Sequence, residues 1–207
     1  MSDSGAGPPR LILASASAAR LRLLRDAKFD PEVVVSGVDE DAIQAGVPRE
    51  LVQALARAKA TAVHEALEQA GGSRRRVVIG CDSMFELDGQ ARSKLGSNAE
   101  ARARLVAARG RAGLLHTGHC LIGGDGRCAE GVGTTTVHFG DYSDTELDAY
   151  LATGEALDVA GAFTLDGRSA PFIEGVDGDP SNVIGLSLPM FRRLLGQLDL
   201  SVVDLWT

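Results

Sequence analysis

The clearest indication of the fold is an early segment of the sequence, Leu11-Ile-Leu-Ala-Ser-Ala-Ser-Ala-Ala-Arg-Leu-Arg-Leu-Leu24. Its apolar beginning, from Leu11 to Ala14, is typical of a short buried strand. Ser15-Ala-Ser17 then opens an amphipathic helix rich in leucine, because serine is a favoured residue at a helix N-terminus. A strand followed at once by a helix predicts the first unit of an α/β fold.

The rest of the chain alternates between strand-like and helical patterns. Further strands are predicted at Val33–Val38, Val77–Gly80, Leu114–Ile122, Gly133–Phe139, Ala160–Leu165 and Pro171–Val176. Further helices are predicted from Pro48 to Ala70, from Ser97 to about Arg109, from Ser143 through Leu151, and from about Leu188 to Leu198. A glycine-rich connection around Gly123–Gly126 favours an antiparallel pair of strands. We therefore expect an α/β fold in which helices flank a mixed sheet.

The 207 residues contain no internal repeat and no linker. We expect a single domain over residues 10–207, preceded by a disordered tail over residues 1–9. The segment from Met1 to Pro9 is small, polar and rich in proline and glycine, so it does not read as a signal peptide.

The formal net charge of −7 argues against a general nucleic-acid-binding protein, whose affinity depends on neutralising phosphates. No run approaches the roughly 18 apolar residues of a membrane span. A small anionic substrate requires cations gathered in one pocket. Cys81, Cys120 and Cys128 are odd in number and lack close metal-type spacing, which predicts a reduced, cytoplasmic protein.

Three groups of polar residues follow predicted strands, where α/β sheets bind ligands. Ser15–Arg20 opens a helix whose backbone N–H groups could bind a phosphate, although ordinary N-capping explains the serines equally simply. Asp82 follows an apolar strand, where a carboxylate is costly unless it is paired or binds a metal; a structural cap is the alternative. Asp39–Glu40 reads either as a ligand pair or as a solvated acidic loop.

Other polar residues are ambiguous when each is taken alone. Lys59 and Lys94 are consistent with surface lysines. The cluster His116-x-x-His119-Cys120 faintly resembles a metal site. It lies in a predicted strand, however, and alternation sends neighbouring side chains to opposite faces. A strand therefore explains this cluster better than a metal site does.

Several motifs occur together in one order along the chain. They are Leu13-Ala-Ser-Ala-Ser-Ala-Ala-Arg20, Val38-Asp-Glu40, Leu55-Ala-Arg-Ala-Lys-Ala60, Ile79-Gly-Cys-Asp-Ser83, Asp88-Gly…Lys94, Thr117-Gly118, Tyr150–Glu155, Ala160–Gly167 and Gly178–Leu186. This series resembles the Maf (septum formation inhibitor-like) family over residues 11 to about 200. Because the match is distributed over nearly the whole predicted domain, a chance resemblance is a poor explanation.

The resemblance implies a two-lobed Maf/ITPase-like fold around a nucleotide-binding cleft, usually in a homodimer. It also implies a nucleoside triphosphate pyrophosphatase, which converts (d)NTPs, including modified ones, to NMP and pyrophosphate with Mg²⁺ or Mn²⁺. The family pattern places the catalytic carboxylate at Asp82 and the metal at Glu40 and Asp82. It places phosphate binding at Ser15, Arg20, Lys59 and Lys94. These cations and one divalent ion would make the pocket net positive despite the two acids.

The resemblance has departures that concern base selectivity. In the family, three positions distinguish a pyrimidine-preferring group from a group that prefers 7-methyl-GTP. Here these positions are occupied by Ala19, Ser83 and Asp166, a combination that matches neither group. An acidic Asp166 could accept hydrogen bonds from guanine, which favours a purine or a broad range. The alternative is that Asp166 is a turn residue before Gly167.

A different class of function is also compatible with the family resemblance. The chain could be a non-catalytic, nucleotide-binding regulator of cell division. The joint presence of Glu40, Asp82 and the cations favours the enzyme, because a docking protein would not need them.

Overall fold

The computed structural model describes residues 8–71, 73–92 and 97–206. Most of the predicted N-terminal tail and the predicted phosphate ligand Lys94 lie outside these residues. Among the described residues, no helix is long and apolar enough to cross a membrane.

The centre of the fold is a mixed seven-stranded sheet in the order β2-β1-β3-β5-β6-β7, with β4 paired to β3. The strands are β1 (Arg10–Leu13), β2 (Glu32–Val33), β3 (Arg76–Leu87), β4 (Gln90–Arg92), β5 (Ala112–Gly123), β6 (Cys128–Phe139) and β7 (Ile173–Asp177). β1 is parallel to β2 and β3, whereas the remaining pairs are antiparallel. The predicted mixed sheet with an antiparallel hairpin is therefore confirmed.

Six α-helices accompany the sheet in the described residues. They are α1 (Ala18–Asp26), α2 (Pro48–Gln69), α3 (Asn98–Ala108), α4 (Asp144–Leu151), α5 (Pro180–Ile184) and α6 (Leu188–Gln197). The predicted caps are present: the Ser17 hydroxyl accepts the Arg20 N–H at the start of α1. Ser143 and Glu146 form a reciprocal capping box at the start of α4.

Alternation along β1 distributes the core over both faces of the sheet. Leu11 and Leu13 pack with Phe191 of α6 on one face, and Ile12 packs with Ala60 of α2 on the other. A further apolar cluster surrounds Phe85, Leu105 and Phe163 towards the far end of β3 and includes residues of α3 and α4. Between these packed regions lies a cleft of about 690 Å³.

Two glycines allow α2 to lie unusually close to the sheet. A Cβ on Gly80 of β3 would stand 2.2 Å from the Ala56 carbonyl oxygen, and a Cβ on Gly118 of β5 would stand 2.2 Å from the Val52 carbonyl oxygen. Both distances are shorter than any real contact, so a side chain at either position would push the helix away. This close packing is what brings the following turn of α2, which carries Lys59, against β3.

Some predicted elements differ from the structure. The strand predicted over Val33–Val38 is limited to Glu32–Val33. The strand predicted over Ala160–Leu165 is wrong, because Ala160–Ala162 forms a 3₁₀ turn in which Gly161 has a φ of 78°. The short helix α5 was not predicted, and it begins with Pro180 behind the N-cap Asp179.

Arg76, the first residue of β3, is a buried arginine. Its residue exposure is only 4%. Its guanidinium forms an ion pair with Glu68 and donates a hydrogen bond to the Ser73 carbonyl. Arg76 therefore ties the end of α2 to the start of β3.

Candidate active site

Asp82 lies within β3 rather than at its end, so its predicted position is wrong. The strand continues because β5 pairs with it from Val77 to Glu86, with Asp82 opposite Gly118. β1, in contrast, pairs with β3 only as far as Ile79. Asp82 consequently lies just past the carboxyl end of β1, which preserves the expected location of the site at the end of a parallel strand pair.

Lys59 joins the two predicted metal ligands. Its Nζ donates to Asp82 Oδ1 at 2.6 Å and to Glu40 Oε1 at 2.8 Å. The Lys59 side chain is only 8% exposed, so the alternative of a surface lysine is wrong. Glu40 begins a 3₁₀ turn whose N-cap, Asp39, accepts the Asp41 N–H. The two carboxylates thus converge on one point although they lie 42 residues apart in sequence.

Arg20 is buried at the start of α1, and its guanidinium donates to three neutral oxygens. Nη1 donates to Ser15 Oγ at 3.0 Å, Nε to the Gly185 carbonyl at 2.7 Å, and Nη2 to Ser83 Oγ at 3.0 Å. Among the described residues, no carboxylate forms an ion pair with it. A buried cation held by neutral groups retains its charge for an anionic ligand, and α1 adds the N-terminal end of its dipole.

A chain of hydroxyl groups continues from Arg20 into the core. Ser83 Oγ lies 2.9 Å from Thr117 Oγ1, which donates to the Asn182 carbonyl at 3.0 Å. Thr117 and Asn182 are fully buried. These supporting residues had no assigned role in the sequence, where the motifs containing Thr117-Gly118 and Gly178–Leu186 were their only signal.

The three predicted selectivity residues all line the cleft. Ser83 binds Arg20, as described above, and Ala19 follows the Ser15–Ala18 turn. Asp166 forms an ion pair with Arg22 of α1 and accepts a hydrogen bond from the Thr164 hydroxyl. Burial opposes ionisation of Asp166, but the Thr164 and Arg22 interactions outweigh it and lower its pKa. Arg22, which the sequence reasoning overlooked, therefore already engages the acid that was expected to face a base.

The cleft contains more acids than the sequence predicted. Its described lining includes three cations (Arg20, Arg22 and Lys59) and five acids (Glu40, Asp82, Glu155, Asp158 and Asp166), which gives a formal charge of −2. Lys94, outside the described residues, is not in this count. A polyphosphate therefore needs a further cation in this cleft.

Glu40 and Asp82 are suited to hold such a cation. Mg²⁺ prefers oxygen ligands and is commonly bound by one or two carboxylates together with substrate phosphates. The two acids approach a single ammonium group within 3 Å of its nitrogen, which shows that they can share one positive centre. Their chemistry and convergence both fit a hard divalent ion.

The two histidines of the strand pattern do not share a site. His116 is hydrogen-bonded to Glu86 and Thr134, at 2.9 Å each. His119, three residues along β5, accepts the Ser187 N–H through Nε2 at 2.8 Å. The interpretation of this segment as a strand with alternating faces is confirmed.

The Maf-like protein family model matches residues 10–198. The chain belongs to this family. It is 56% identical over 199 residues to a Streptomyces avermitilis protein named nucleoside triphosphate pyrophosphatase, covering 96% of this chain and 95% of that protein. A Streptomyces coelicolor protein of the same name is 56% identical over 198 residues, covering 95% of this chain and 94% of that one. Another relative with this name, from Mycobacterium sp. (strain JLS), is 53% identical over 207 residues and covers 96% and 98%.

Similarity to solved structures is weaker. The Staphylococcus aureus Ham1 protein is 17% identical, with a TM-score of 0.42, covering 64% of this Maf-family chain and 72% of that one.

Proposed function

We infer that this protein is an enzyme that hydrolyses nucleoside triphosphates to NMP and pyrophosphate. The observation that carries the inference is the bridge from buried Lys59 to Asp82 and Glu40, beside the charged and buried Arg20. A purely structural ion pair would not require Arg20, a second buried cation in the same cleft, which forms no ion pair among the described residues. The names of relatives that match almost the full chain support the same activity.

The substrate charge makes a divalent ion part of this proposal. A triphosphate carries about −4 when its terminal group is largely ionised, because the second phosphate pKa is near 6. The described lining is itself −2, so the repulsion must be offset locally. We assign Mg²⁺ or Mn²⁺ to Glu40 and Asp82. When bound, such an ion neutralises phosphate charge and makes a nearby water more acidic.

In the proposed reaction, Asp82 acts as the general base. It accepts a proton from the water whose oxygen bonds to the α phosphorus, while the bond from that phosphorus to the bridging oxygen breaks. The electron pair leaves with pyrophosphate. Lys59 holds Asp82 through Oδ1, so it fixes the orientation of the carboxylate during proton transfer.

Ser15, Arg20 and the N-terminus of α1 form the proposed phosphate site. The Ser15 hydroxyl accepts from both Arg20 Nη1 and the Ser17 N–H, which shapes the turn before α1. Positive groups fixed at this point would stabilise charge on the departing pyrophosphate without reorganisation. Lys94 stays a predicted fourth contributor, since it lies outside the described residues.

We assign base selectivity to Ala19, Ser83 and Asp166, with Arg22 holding Asp166 in place. Arg22 and Thr164 each donate to one Asp166 oxygen, so part of the acceptor capacity of this carboxylate is already used. The reduced capacity favours a broad nucleotide range over strict recognition of one base.

Oligomeric state and cellular location stay predictions. The family resemblance predicts a homodimer. Three free cysteines are in keeping with a reducing, cytoplasmic location.

The direct test is product analysis with a panel of canonical and modified (d)NTPs, with and without Mn²⁺. NMP and pyrophosphate in equal amounts, formed only with the metal, are the expected products. NDP and phosphate would instead identify a phosphatase. Tight nucleotide binding without turnover would favour the alternative, a nucleotide-binding regulator of cell division.

A further inference from the structure

The β5–β6 hairpin brings together two cysteines that are eight residues apart in sequence. Its register places Cys120 opposite Glu130 and Cys128 opposite Ile122, so the cysteines are diagonal neighbours on one face. Their Sγ atoms lie 3.5 Å apart, and both are free thiols. The two cysteines are farther apart in sequence than the cysteines of common metal motifs, so the hairpin register, and not the spacing, indicates that they lie together.

Glu130 adds a third ligand atom to this pair. Its Oε1 lies 3.5 Å from Cys128 Sγ, and the ligand atoms of all three residues lie within 4.8 Å of one another. In a tetrahedral zinc site with Zn–S bonds of about 2.3 Å and a Zn–O bond of about 2.1 Å, sulfur–sulfur and sulfur–oxygen separations are about 3.8 and 3.6 Å. The Cys120 Sγ–Cys128 Sγ and Cys128 Sγ–Glu130 Oε1 distances, 3.5 Å each, are therefore close to those between ligands of one zinc ion.

A cavity of about 620 Å³ opens beside Cys128 and Glu130, and none of its described lining residues also lines the cleft around Asp82. Cys128 is exposed, so a cation can reach the sulfurs from solvent. Water from this cavity can complete the fourth position.

We propose that Cys120, Cys128 and Glu130 form a binding site for a thiophilic divalent cation of the zinc class. The site is separate from the Glu40–Asp82 pair, whose ligands are all hard oxygens. Two sulfurs select against Mg²⁺ and Mn²⁺, because thiolates favour softer ions. The bound cation would cross-link the two strands of the hairpin next to α2. Arg57 of α2 already contacts this region, because its Nε donates a hydrogen bond to Glu130 Oε1 at 2.6 Å.

Cobalt is a suitable probe because thiolate ligands give Co²⁺ a near-ultraviolet charge-transfer absorption that carboxylates do not give. Co²⁺ alone is titrated into the reduced, metal-stripped protein. We expect one equivalent to bind with this absorption, and Zn²⁺ to displace it. Cys128→Ser should weaken Co²⁺ binding at least 100-fold and reduce the band by at least half, because it removes one of the two thiolates, whereas Glu130→Gln should weaken binding about 10-fold and retain the band.

Two control variants locate the site. Cys81→Ala removes a buried thiol outside the cluster, and Asp82→Asn alters the cleft; both should keep the band at full intensity. Circular dichroism establishes that each variant is folded. The proposal is overturned if the wild-type protein gives no thiolate band. It is also overturned if Co²⁺ affinity and the full intensity of the band are unchanged in folded Cys128→Ser, or if the band is lost in folded Cys81→Ala or Asp82→Asn. These readouts do not depend on nucleotide hydrolysis.

Discussion

Lys59 and Arg57 are cations two residues apart on α2, and each binds a carboxylate on the sheet or beside it, yet their surroundings differ. Lys59 contacts Asp82 and Glu40 with a side chain that is 8% exposed, whereas Arg57 contacts Glu130 with one that is 63% exposed. Positions two apart on a helix do not share a face, so one points into the cleft and the other towards solvent. The comparison teaches that burial, more than the presence of an ion pair, sets its energetic weight.

The largest effect is expected when Asp82, the proposed general base in the buried cluster with Lys59 and Glu40, is replaced. Asp82→Asn should lower kcat about 10³-fold, because general-base catalysis contributes roughly 10²–10⁴-fold. The amide has nearly the shape of the carboxylate, and Lys59 keeps its ion pair with Glu40, so the thermal midpoint should change little. Steady-state release of pyrophosphate measures the effect. Asp148→Asn, which alters an exposed acid paired with Arg102, is the matched control and should leave kcat unchanged. Wild-type turnover by Asp82→Asn would remove this residue from the mechanism.

Removal of the buried cation should affect stability as well as turnover. Lys59→Met leaves Asp82 and Glu40 close together without their shared partner. We expect the free energy of unfolding to fall by about 2 kcal/mol, less than for a fully buried pair because Glu40 is partly exposed. Turnover should fall about 10²-fold, as for the loss of a preorganised electrostatic contact. Urea unfolding monitored by circular dichroism measures the first effect.

The effect of Mg²⁺ on the unfolding free energy of Lys59→Met tests where the metal binds. Mg²⁺ should restore part of the stability of Lys59→Met, because a bound cation neutralises the two acids, and it should stabilise this variant more than the wild-type protein. Equal stabilisation of both proteins would contradict the assignment of the metal to Glu40 and Asp82.

His119 is a third buried titratable side chain, but its Nε2 accepts a hydrogen bond from a neutral group, the Ser187 N–H, and does not contact a carboxylate there. Burial, followed by the positive charge of Arg20, lowers its pKa to about 4. In the unfolded chain the pKa is near 6.5, so that state binds the proton first as the pH falls. Stability linked to His119 is therefore complete above pH 6.5 and is lost as the pH falls from 6.5 towards 4, by about 2 kcal/mol at pH 5.

The variant His119→Gln isolates this contribution. Glutamine can accept the Ser187 N–H but does not titrate, so the variant should lose less stability on acidification. Urea unfolding at pH 7.5 and pH 5 measures the difference between the two proteins. Parallel pH profiles would show that His119 is not responsible.

The parts of the fold that local sequence signals determine were predictable. Serine caps, apolar periodicity and a glycine-rich turn predicted α1, α4 and the β5–β6 hairpin, because each depends on residues within a few positions. The length of β3 was not predictable in this way. Its polar end is held in the sheet by β5, and pairing with a distant strand leaves no local signature in Asp82 or Ser83.

The candidate site shows the same division. Family resemblance brought Arg20, Glu40, Lys59 and Asp82 together, and the structure places them in one cleft. Lys59 taken alone looked like a surface lysine, since only the close approach of α2 at Gly80 buries it. The Arg22–Asp166 pair and the Cys120–Cys128 pair depend on tertiary contacts and strand register, which no single motif encodes.

The smallest effect is expected on the exposed side of the comparison. Arg57→Met makes the same change as Lys59→Met two residues away, removing a cation that binds Glu130 through two nitrogens. Water can solvate the Glu130 carboxylate after this loss, so the metal-free protein should lose at most about 1 kcal/mol of unfolding free energy. Raising the salt concentration should shrink the difference further, because exposed charges are screened. Urea unfolding of both variants in the same buffers makes the comparison direct. If Arg57→Met is as destabilising as Lys59→Met, or is insensitive to salt, burial does not explain the contrast between the two cations, and the paired Arg57–Glu130 geometry must contribute more than its exposure allows.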